Sequence, residues 1–483
     1  MEELDLIYTP RTYQLEAVRW MLEDAKGKAI IADEMGLGKT GEIYMAWRQL
    51  HYPLPCLIIA GVNAQIAWIN QSKMWGCPSP IRIAGSAVKR AALWKKHSNG
   101  FVIITRESLK ADIKSGVVDL GSHKFQCVIV DECHKDSNRK TQNYKALKAI
   151  SKNSTYIFLS SGSIMRRGAQ NLWGPLSIIA PQEYRSYWKF IHQYCVVSQG
   201  AFGLEILRAK DPVQLQKDLS TKLIRRTKKE VRPEMPAKHR DLDSNVLQML
   251  PGQERLYRQL ESDSIAELPS GGVLMTPSLL ANITRLRQTL ITPKLLDSSF
   301  PEYGAGIERI VELLDESDDR HMCIFSPFSS ALPFVRERLL DAGLGTDRSI
   351  IQLSGGLRYE EVVQRIEQFR QERGIALCSI RYAESFDLVP ATWGIFLGYE
   401  WDAWDNLQAE DRLHRGDITS PIQFYYISHE GCIDQSLVLP ALDTKANNVM
   451  AILKDIDAVR RLLSARQISI AGVGSIAGVG ASQ

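Results

Sequence analysis

Between residues 28 and 165, short runs of aliphatic and β-branched residues alternate with segments of helical spacing. "KAIIAD" is followed by "GKTGEIYMAWRQL", in which Ile43, Ala46, Trp47 and Leu50 recur at the helical period. The rhythm continues through "CLIIAG", "AQIAWINQSKMW", "IRIAG", "AVKRAALWKKH", "FVIIT", "FQCVIVDE", "YKALKAIS" and "TYIFLSSG". Strands that are apolar throughout must be covered on both faces, and strands separated by helices pair in parallel. The pattern therefore predicts a parallel sheet with helices on both sides. It returns between about residues 320 and 430, where "MCIFSP", "SIIQLSG", "IALCSI", "WGIFLGY" and "IQFYYIS" are separated by helix-like stretches such as "YEEVVQRIEQFRQERG" and "DNLQAEDRLHR". The expected fold class is α/β, two parallel-sheet lobes with helical insertions between them.

At 483 residues the chain exceeds one ordinary core. We divide it into a first lobe (1–180), a helical insertion and basic linker (181–300), a second lobe (301–440), and a terminal helix with a flexible end (441–483). The middle region lacks the alternation. It carries the basic run "KLIRRTKKEVRPEMPAKHR" and the helical "GQERLYRQLESDSIAEL", while the end repeats "SIAGVG" from Ser469. Hydrophobic content of 45% and charged content of 24% describe a soluble globular protein. A net charge of +4 permits a polyanionic partner without demanding one. The eight cysteines include no Cys-x-x-Cys pair, which argues against a zinc ribbon and for a reducing cytosol. No apolar signal core opens the chain and no run reaches membrane-spanning length, so a cytoplasmic protein is expected.

"AIIADEMGLGKT" runs from a strand into a glycine-rich turn closed by Lys-Thr. The strict phosphate cradle has Gly where Asp33 stands, so an ordinary tight turn competes with a variant cradle built from Asp33, Glu34, Met35, Gly36, Leu37 and Gly38. In the cradle, Gly36 and Gly38 let successive N–H groups approach a polyphosphate at a helix N-terminus. Lys39 would contact the outer phosphates and the Thr40 hydroxyl would ligate Mg²⁺. "QCVIVDECH" delivers Asp131 and Glu132 at a strand end, one carboxylate for Mg²⁺ and one to activate water. His134 would couple that site to the rest of the lobe. In "LSSGS", Ser161 and Ser163 either sense the terminal phosphate or form a turn with local bonds. "LQAEDRLHRGD" sets Arg412 and Arg415 three apart, on one face of a helix.

Taken in order, these elements resemble the Swi/Snf-type DNA-translocating ATPases of helicase superfamily two, over about residues 8 to 430. "DEMGLGKT" is how that family writes its phosphate loop, with Asp where others place Gly. "YTPRTYQLEAVRWML" looks like its opening element, with Gln14 reading the adenine edge. "LIIAGVNAQIAWINQSKMW" and "VIITRESLK" look like its DNA-tracking segments, "DECH" stands for its Asp-Glu-x-His, and "LIRRTKKEV" resembles the stretch closing its first half. "CIFSPF" and "QAEDRLHR" match its second lobe, with Arg412 and Arg415 at the arginine-finger positions. Three departures stand out. "RYAESFDLVPATW" replaces a Gly-Gly-Leu-Gly turn, Ser163 replaces Thr with no Pro after it, and Gly416 and Asp417 follow "HR" directly.

The resemblance implies two RecA-like lobes that use ATP and Mg²⁺ to move on DNA with little sequence preference. Compact members suit replication, recombination or repair, with fork remodelling or branch migration the preferred task and a nucleoid-associated location in a bacterial or virus-infected cell. Within the basic run, Lys222, Arg225, Arg226, Lys228, Lys229 and Arg232 are a candidate DNA-facing patch, set against a plain solvated helix face. Trp75, Trp94 and Trp188 read as packing residues. Two other functions compete: an RNA-activated helicase built on the same engine, and a degenerate ATPase that clamps DNA without turnover.

Overall fold

The computed structural model describes residues 8–442 apart from 120–122, 165–167, 201–202, 271–272, 277, 318–320, 347, 358, 372, 383–387, 417 and 441. The repeated "SIAGVG", nearly all of the terminal region 441–483 and the centre of the altered "RYAESFDL" loop lie outside these. The chain forms two compact units that part between Glu234 and Met235.

The first unit is built on β1 (Lys28–Ile31), β2 (Cys56–Ile59), β3 (Ile81–Arg82), β4 (Phe101–Ile104), β5 (Cys127–Val130) and β6 (Tyr156–Ser160). A hairpin, β7 (Cys195–Gly200) with β8 (Gly203–Ala209), stands apart from the sheet, and β9 (Leu223–Ile224) joins it. The order is β3-β4-β2-β5-β6-β1-β9, every pairing parallel. All four residues of β2, β4 and β5 are buried, which is why these strands read as unbroken apolar runs. The helix Thr12–Glu23 precedes β1, and the crossovers include the helices Lys39–Gln49, Val62–Met74, Ala87–Lys96 and Arg106–Lys114. Thr105 follows β4 and caps the last of these, its hydroxyl accepting from the Ser108 N–H at 3.2 Å. Trp75 and Trp94 are core residues, whereas Trp188 is 46% exposed beside Tyr187 and His192, so for Trp188 the packing reading is corrected.

The second unit contains β10 (Lys238–Asp241), β11 (Val246–Leu247), a hairpin of β12 (Ile265–Glu267) and β13 (Val273–Met275), then β14 (Met322–Ser326), β15 (Ser349–Leu353), β16 (Gly374–Ser379), β17 (Trp393–Leu397) and β18 (Ile422–His429). Its sheet runs β10-β18-β17-β14-β16-β15, also parallel, with β11 on the far half of β18. Along β14, Cys323 and Phe325 enter one core and Met322 and Ile324 another, so both faces are covered.

The region drawn as a separate insertion is thus shared between the units. Strand β9 pairs with β1 in the first sheet, and β10 and β11 pair with β18 in the second. Two-residue strands are too short to show a period, so periodicity missed β9 and β11. Among the described residues no helix is long and apolar enough to cross a membrane.

Candidate active site

The turn after β1 is set by two glycines in the left-handed region, Gly36 at φ 87° and Gly38 at φ 90°. Gly38 caps the helix Lys39–Gln49, and a Cβ there would lie 2.3 Å from the Gln14 amide nitrogen. Gln14 is latched to this turn: its Nε2 donates to the Leu37 carbonyl at 3.1 Å, beside the Tyr13 hydroxyl at 2.9 Å. Its Oε1 accepts from the Arg11 N–H at 3.0 Å. At the start of the same helix opens a cleft of about 280 Å³ whose walls include Arg11, Thr12, Tyr13, Arg232 and Glu234. Lys39 folds back over the turn, its Nζ donating to the carbonyls of Asp33 (2.8 Å) and Glu34 (3.3 Å). Met35 fills the space over Gly162, which ties the turn to the "SGS" segment. Thr40, half-buried, is the second residue of the helix.

Asp33 explains its own departure from the strict pattern. It is fully buried and accepts from the Arg226 backbone N–H at 2.9 Å and from Arg226 Nε at 3.0 Å. Arg226 also donates to Glu42 Oε1 at 2.9 Å and to the Tyr13 carbonyl. Burial and the neighbouring Asp33 charge push the Glu42 carboxyl up to about 8, against the pull of Arg226 and Lys39. Arg225 Nη1 donates to the carbonyls of Ala32 (2.7 Å) and Gly162 (3.3 Å). The Lys228 N–H donates to Glu34 Oε2 at 2.6 Å, and Lys222 pairs with Glu183 at 3.3 Å.

The DNA-facing patch is therefore corrected at Arg225, Arg226 and Lys228, which are built into the phosphate-loop side of the first lobe. Arg232 is buried as well, and Lys229 is exposed. A charge run in the sequence cannot reveal partners 193 residues away.

The acidic pair lies at the end of β5. Trp68 Nε1 donates to Asp131 Oδ2 at 3.1 Å, while the Ser160 hydroxyl and the Glu132 N–H each reach Oδ1 at 3.1 Å. Burial and the adjacent Glu132 raise the Asp131 carboxyl above its ordinary range. Glu132 sits at φ 51° and ψ 53°, a left-handed conformation that costs a non-glycine residue on the order of 1–3 kcal/mol and persists only where its surroundings fix it. Its Oε2 accepts from Ser161 Oγ at 3.0 Å and lies 3.0 Å from His134 Nδ1. His134 Nδ1 is in turn 2.8 Å from Ser161 Oγ and 3.2 Å from Ser163 Oγ. Burial alone would raise the Glu132 carboxyl, but the hydrogen bond and charge of His134, then Lys39 and Lys135, outweigh it and hold the group well below the usual carboxylate range.

Glu132 is thus ionised at neutral pH, as a group that orients and deprotonates water must be. Lys39, Asp131, Glu132, His134, Ser161 and Ser163 come together in one lobe. A hydroxyl and a carboxylate are hard oxygen donors suited to Mg²⁺, and a cation there would relieve the crowding of two half-buried carboxylates. Sequence reasoning missed Trp68 and Ser160, which aim Asp131; their only signal is position, on the helix after β2 and at the end of β6, the two strands that flank β5.

Arg412 and Arg415 belong to the second unit. The helix carrying "LQAED" runs Ala403–Glu410, so the shared helical face expected for them is corrected: both lie beyond it. The Arg412 N–H bonds to the Ala409 carbonyl at 3.1 Å, a tightened i to i−3 turn. Glu410, fully buried at the helix end, accepts from Arg240 Nε at 2.6 Å and from the Tyr426 hydroxyl at 2.7 Å. Lys238 reaches Glu410 at 3.4 Å and Asp411 at 2.6 Å. Strand β10 and strand β18 thereby fix the point from which the arginine segment departs. Arg412 is buried and Arg415 half-buried.

A glycine turn opening a helix beside a carboxylate pair, on neighbouring parts of one parallel sheet, defines a phosphate-loop nucleotide-hydrolysing lobe. The SNF2-related domain profile matches residues 13–295, more than half of the chain, which therefore belongs to that family and to the ATP-hydrolysing helicase class its motifs resemble. The human DNA annealing helicase and endonuclease ZRANB3 is 24% identical over 433 residues, covering 87% of this chain and 38% of that protein. An uncharacterized ATP-dependent helicase of Mycoplasma pneumoniae is 24% identical over 439 residues, covering 88% and 40%. The ISWI chromatin-remodeling complex ATPase CHR11 of Arabidopsis thaliana is 24% identical over 472 residues, covering 92% and 43%. The chain thus spans about two fifths of the length of these relatives. Among solved structures, the Sulfolobus solfataricus SWI2/SNF2 ATPase core in complex with dsDNA matches with a TM-score of 0.43 and 19% identity, covering 95% of this chain and 94% of that one.

Proposed function

We propose that the chain is a DNA-stimulated ATPase that translocates on duplex or branched DNA, with fork remodelling or branch migration as its task. The observation that carries this reading is the Glu132 carboxylate, held ionised by His134, Ser161 and Lys39 beside Asp131. In this reading Lys39 leaves the carbonyls of Asp33 and Glu34 for the outer phosphates of ATP, and Gly36 and Gly38 present the loop N–H groups to them. Thr40 and Asp131 would hold Mg²⁺, which when bound would neutralise phosphate charge. Glu132 orients the attacking water and accepts its proton. Ser161, Ser163 and His134 report the loss of the terminal phosphate through their shared hydrogen bonds. Gln14, released from Leu37, reads the adenine edge, and the neighbouring cleft receives the base. Arg412 and Arg415 supply the positive charge that the transferring phosphoryl group requires. Two of the relatives are named helicases, one of them for DNA annealing, which supports DNA as the partner. Contacts to phosphates carry no sequence information, so little sequence preference follows.

The test is ATP turnover measured with single-stranded, linear duplex, forked and four-way DNA and with duplex RNA. The reading expects stimulation by DNA, greatest with forked or four-way substrates, and its loss in Lys39→Ala and Glu132→Gln. Greater stimulation by RNA would replace it with an RNA-activated helicase. DNA binding by a wild-type protein that never turns over ATP would replace it with a clamp.

A further inference from the structure

Arg106 is a charged side chain, 8% exposed, whose sequence context gives it no role in the hydrolytic site. It is the first residue of the helix Arg106–Lys114, directly after β4, and its guanidinium crosses to the turn at the end of β5. Nε lies 2.9 Å from Asp136 Oδ2 and 3.2 Å from Oδ1. Nη2 reaches Asp136 Oδ2 at 2.9 Å, donates to the Glu132 carbonyl at 3.0 Å, and donates to the Asp131 carbonyl as well. One planar group thus grips both ends of the turn: the carbonyls of the two reacting acids, and the carboxylate that closes the 3₁₀ turn Cys133–Asp136. Glu132 lies between these grips in its left-handed conformation. Of the groups around the acids, Trp68, Ser160, Ser161 and His134 hold carboxylates, whereas Arg106 holds the backbone they hang from.

We propose that Arg106 is the positioning residue of the hydrolytic turn. It fixes the backbone of Asp131 and Glu132 so that the Glu132 carboxylate faces the attacking water, and it does so without touching nucleotide. The proposal rests on the ATPase reading above. A lysine at this position keeps the buried charge opposite Asp136, and with it the lobe, but a single ammonium cannot span the carboxylate and two carbonyls as a planar fork does. Without that grip Glu132 is free to leave its left-handed backbone. The loss falls on the chemical step, because nucleotide is held by the phosphate loop.

The decisive variant is Arg106→Lys in the full chain, compared with wild type and Glu132→Gln. Expected is a 10- to 100-fold fall in kcat, estimated from the rate cost of misplacing a catalytic group, with KM for ATP and the binding of a non-hydrolysable ATP analogue unchanged. Asp136→Asn, which loosens the guanidinium from one side only, is expected to lose kcat by a smaller factor with KM again unchanged. Where Arg106→Lys fails to fold by circular dichroism, Asp136→Asn decides. Full kcat in whichever folded variant decides, or a loss confined to KM, overturns the assignment while leaving the ATPase reading intact. A wild type without turnover on any nucleic acid brings down the ATPase reading and this one with it.

Discussion

Asp33 shows how a residue that looks like a defect in a motif can be a requirement of the fold. In the strict cradle its place belongs to glycine. Here it is buried and pairs with Arg226, which enters beside strand β9 and is shared with Glu42. Removing one member of a buried pair leaves the other charge without compensation, at a cost of about 3 kcal/mol or more. Asp33→Gly, which restores the strict pattern, is therefore expected to lower the unfolding free energy by about that amount and not to tighten ATP binding. Denaturant unfolding and nucleotide titration check both halves. Stability equal to wild type would show that Arg226 is sufficiently held by Glu42 alone. The placement of Lys39, Asp131 and Glu132 at turns that follow strands of one sheet was legible because strand, turn and residue type coincide at each. Arg226 was not: its partners are far away in sequence, and it sits in a run of cations that suggests a solvated face.

At the scale of elements, strands such as β2, β4, β5, β14 and β17 were legible because burial on both faces leaves continuous apolar runs, and β10 was not. Its residues Lys238, His239, Arg240 and Asp241 are charged or polar, yet they pair along β18 and two of them bind the Glu410 end of a helix. Strand β18 has a second hidden feature at its last residue. His429 is covered as β11 pairs with it, and among the described residues neither ring nitrogen has a hydrogen-bond partner. Burial pushes its pKa down from 6.5 to about 4. The sign follows from which state binds the proton first. Above pH 6.5 both states are neutral and the group has no effect. As pH falls from 6.5 toward 4 the unfolded chain is protonated while the folded one is not, so stability is progressively lost, by about 3 kcal/mol in full. His429→Leu should remove this component. Urea unfolding of wild type and variant at pH 7.5 and pH 5 measures it, and an equal pH response in the two would show that His429 finds a partner in solution.

For the whole molecule, the proposed engine draws on residues from both units. The first contributes the phosphate loop and the acids; the second contributes Arg412 and Arg415 beyond the helix Ala403–Glu410. This division of labour makes a kinetic forecast that neither unit makes by itself. An arginine acting only on the charge of the transferring phosphoryl group is worth 10³ to 10⁵ in rate in phosphate-loop enzymes, and little in ground-state affinity. Arg412→Ala and Arg415→Ala should therefore bind ATP and DNA as wild type does while turnover falls by about 10³ or more. Arg412 is the more buried of the two, so its variant calls for a check that the fold survives. The comparison with Lys39→Ala is what gives the test its edge, because that variant is expected to lose nucleotide binding as well. If hydrolysis persists in both arginine variants, charge compensation must come from the first unit, where Lys39 and Arg225 border the loop, and the role assigned to the second unit falls.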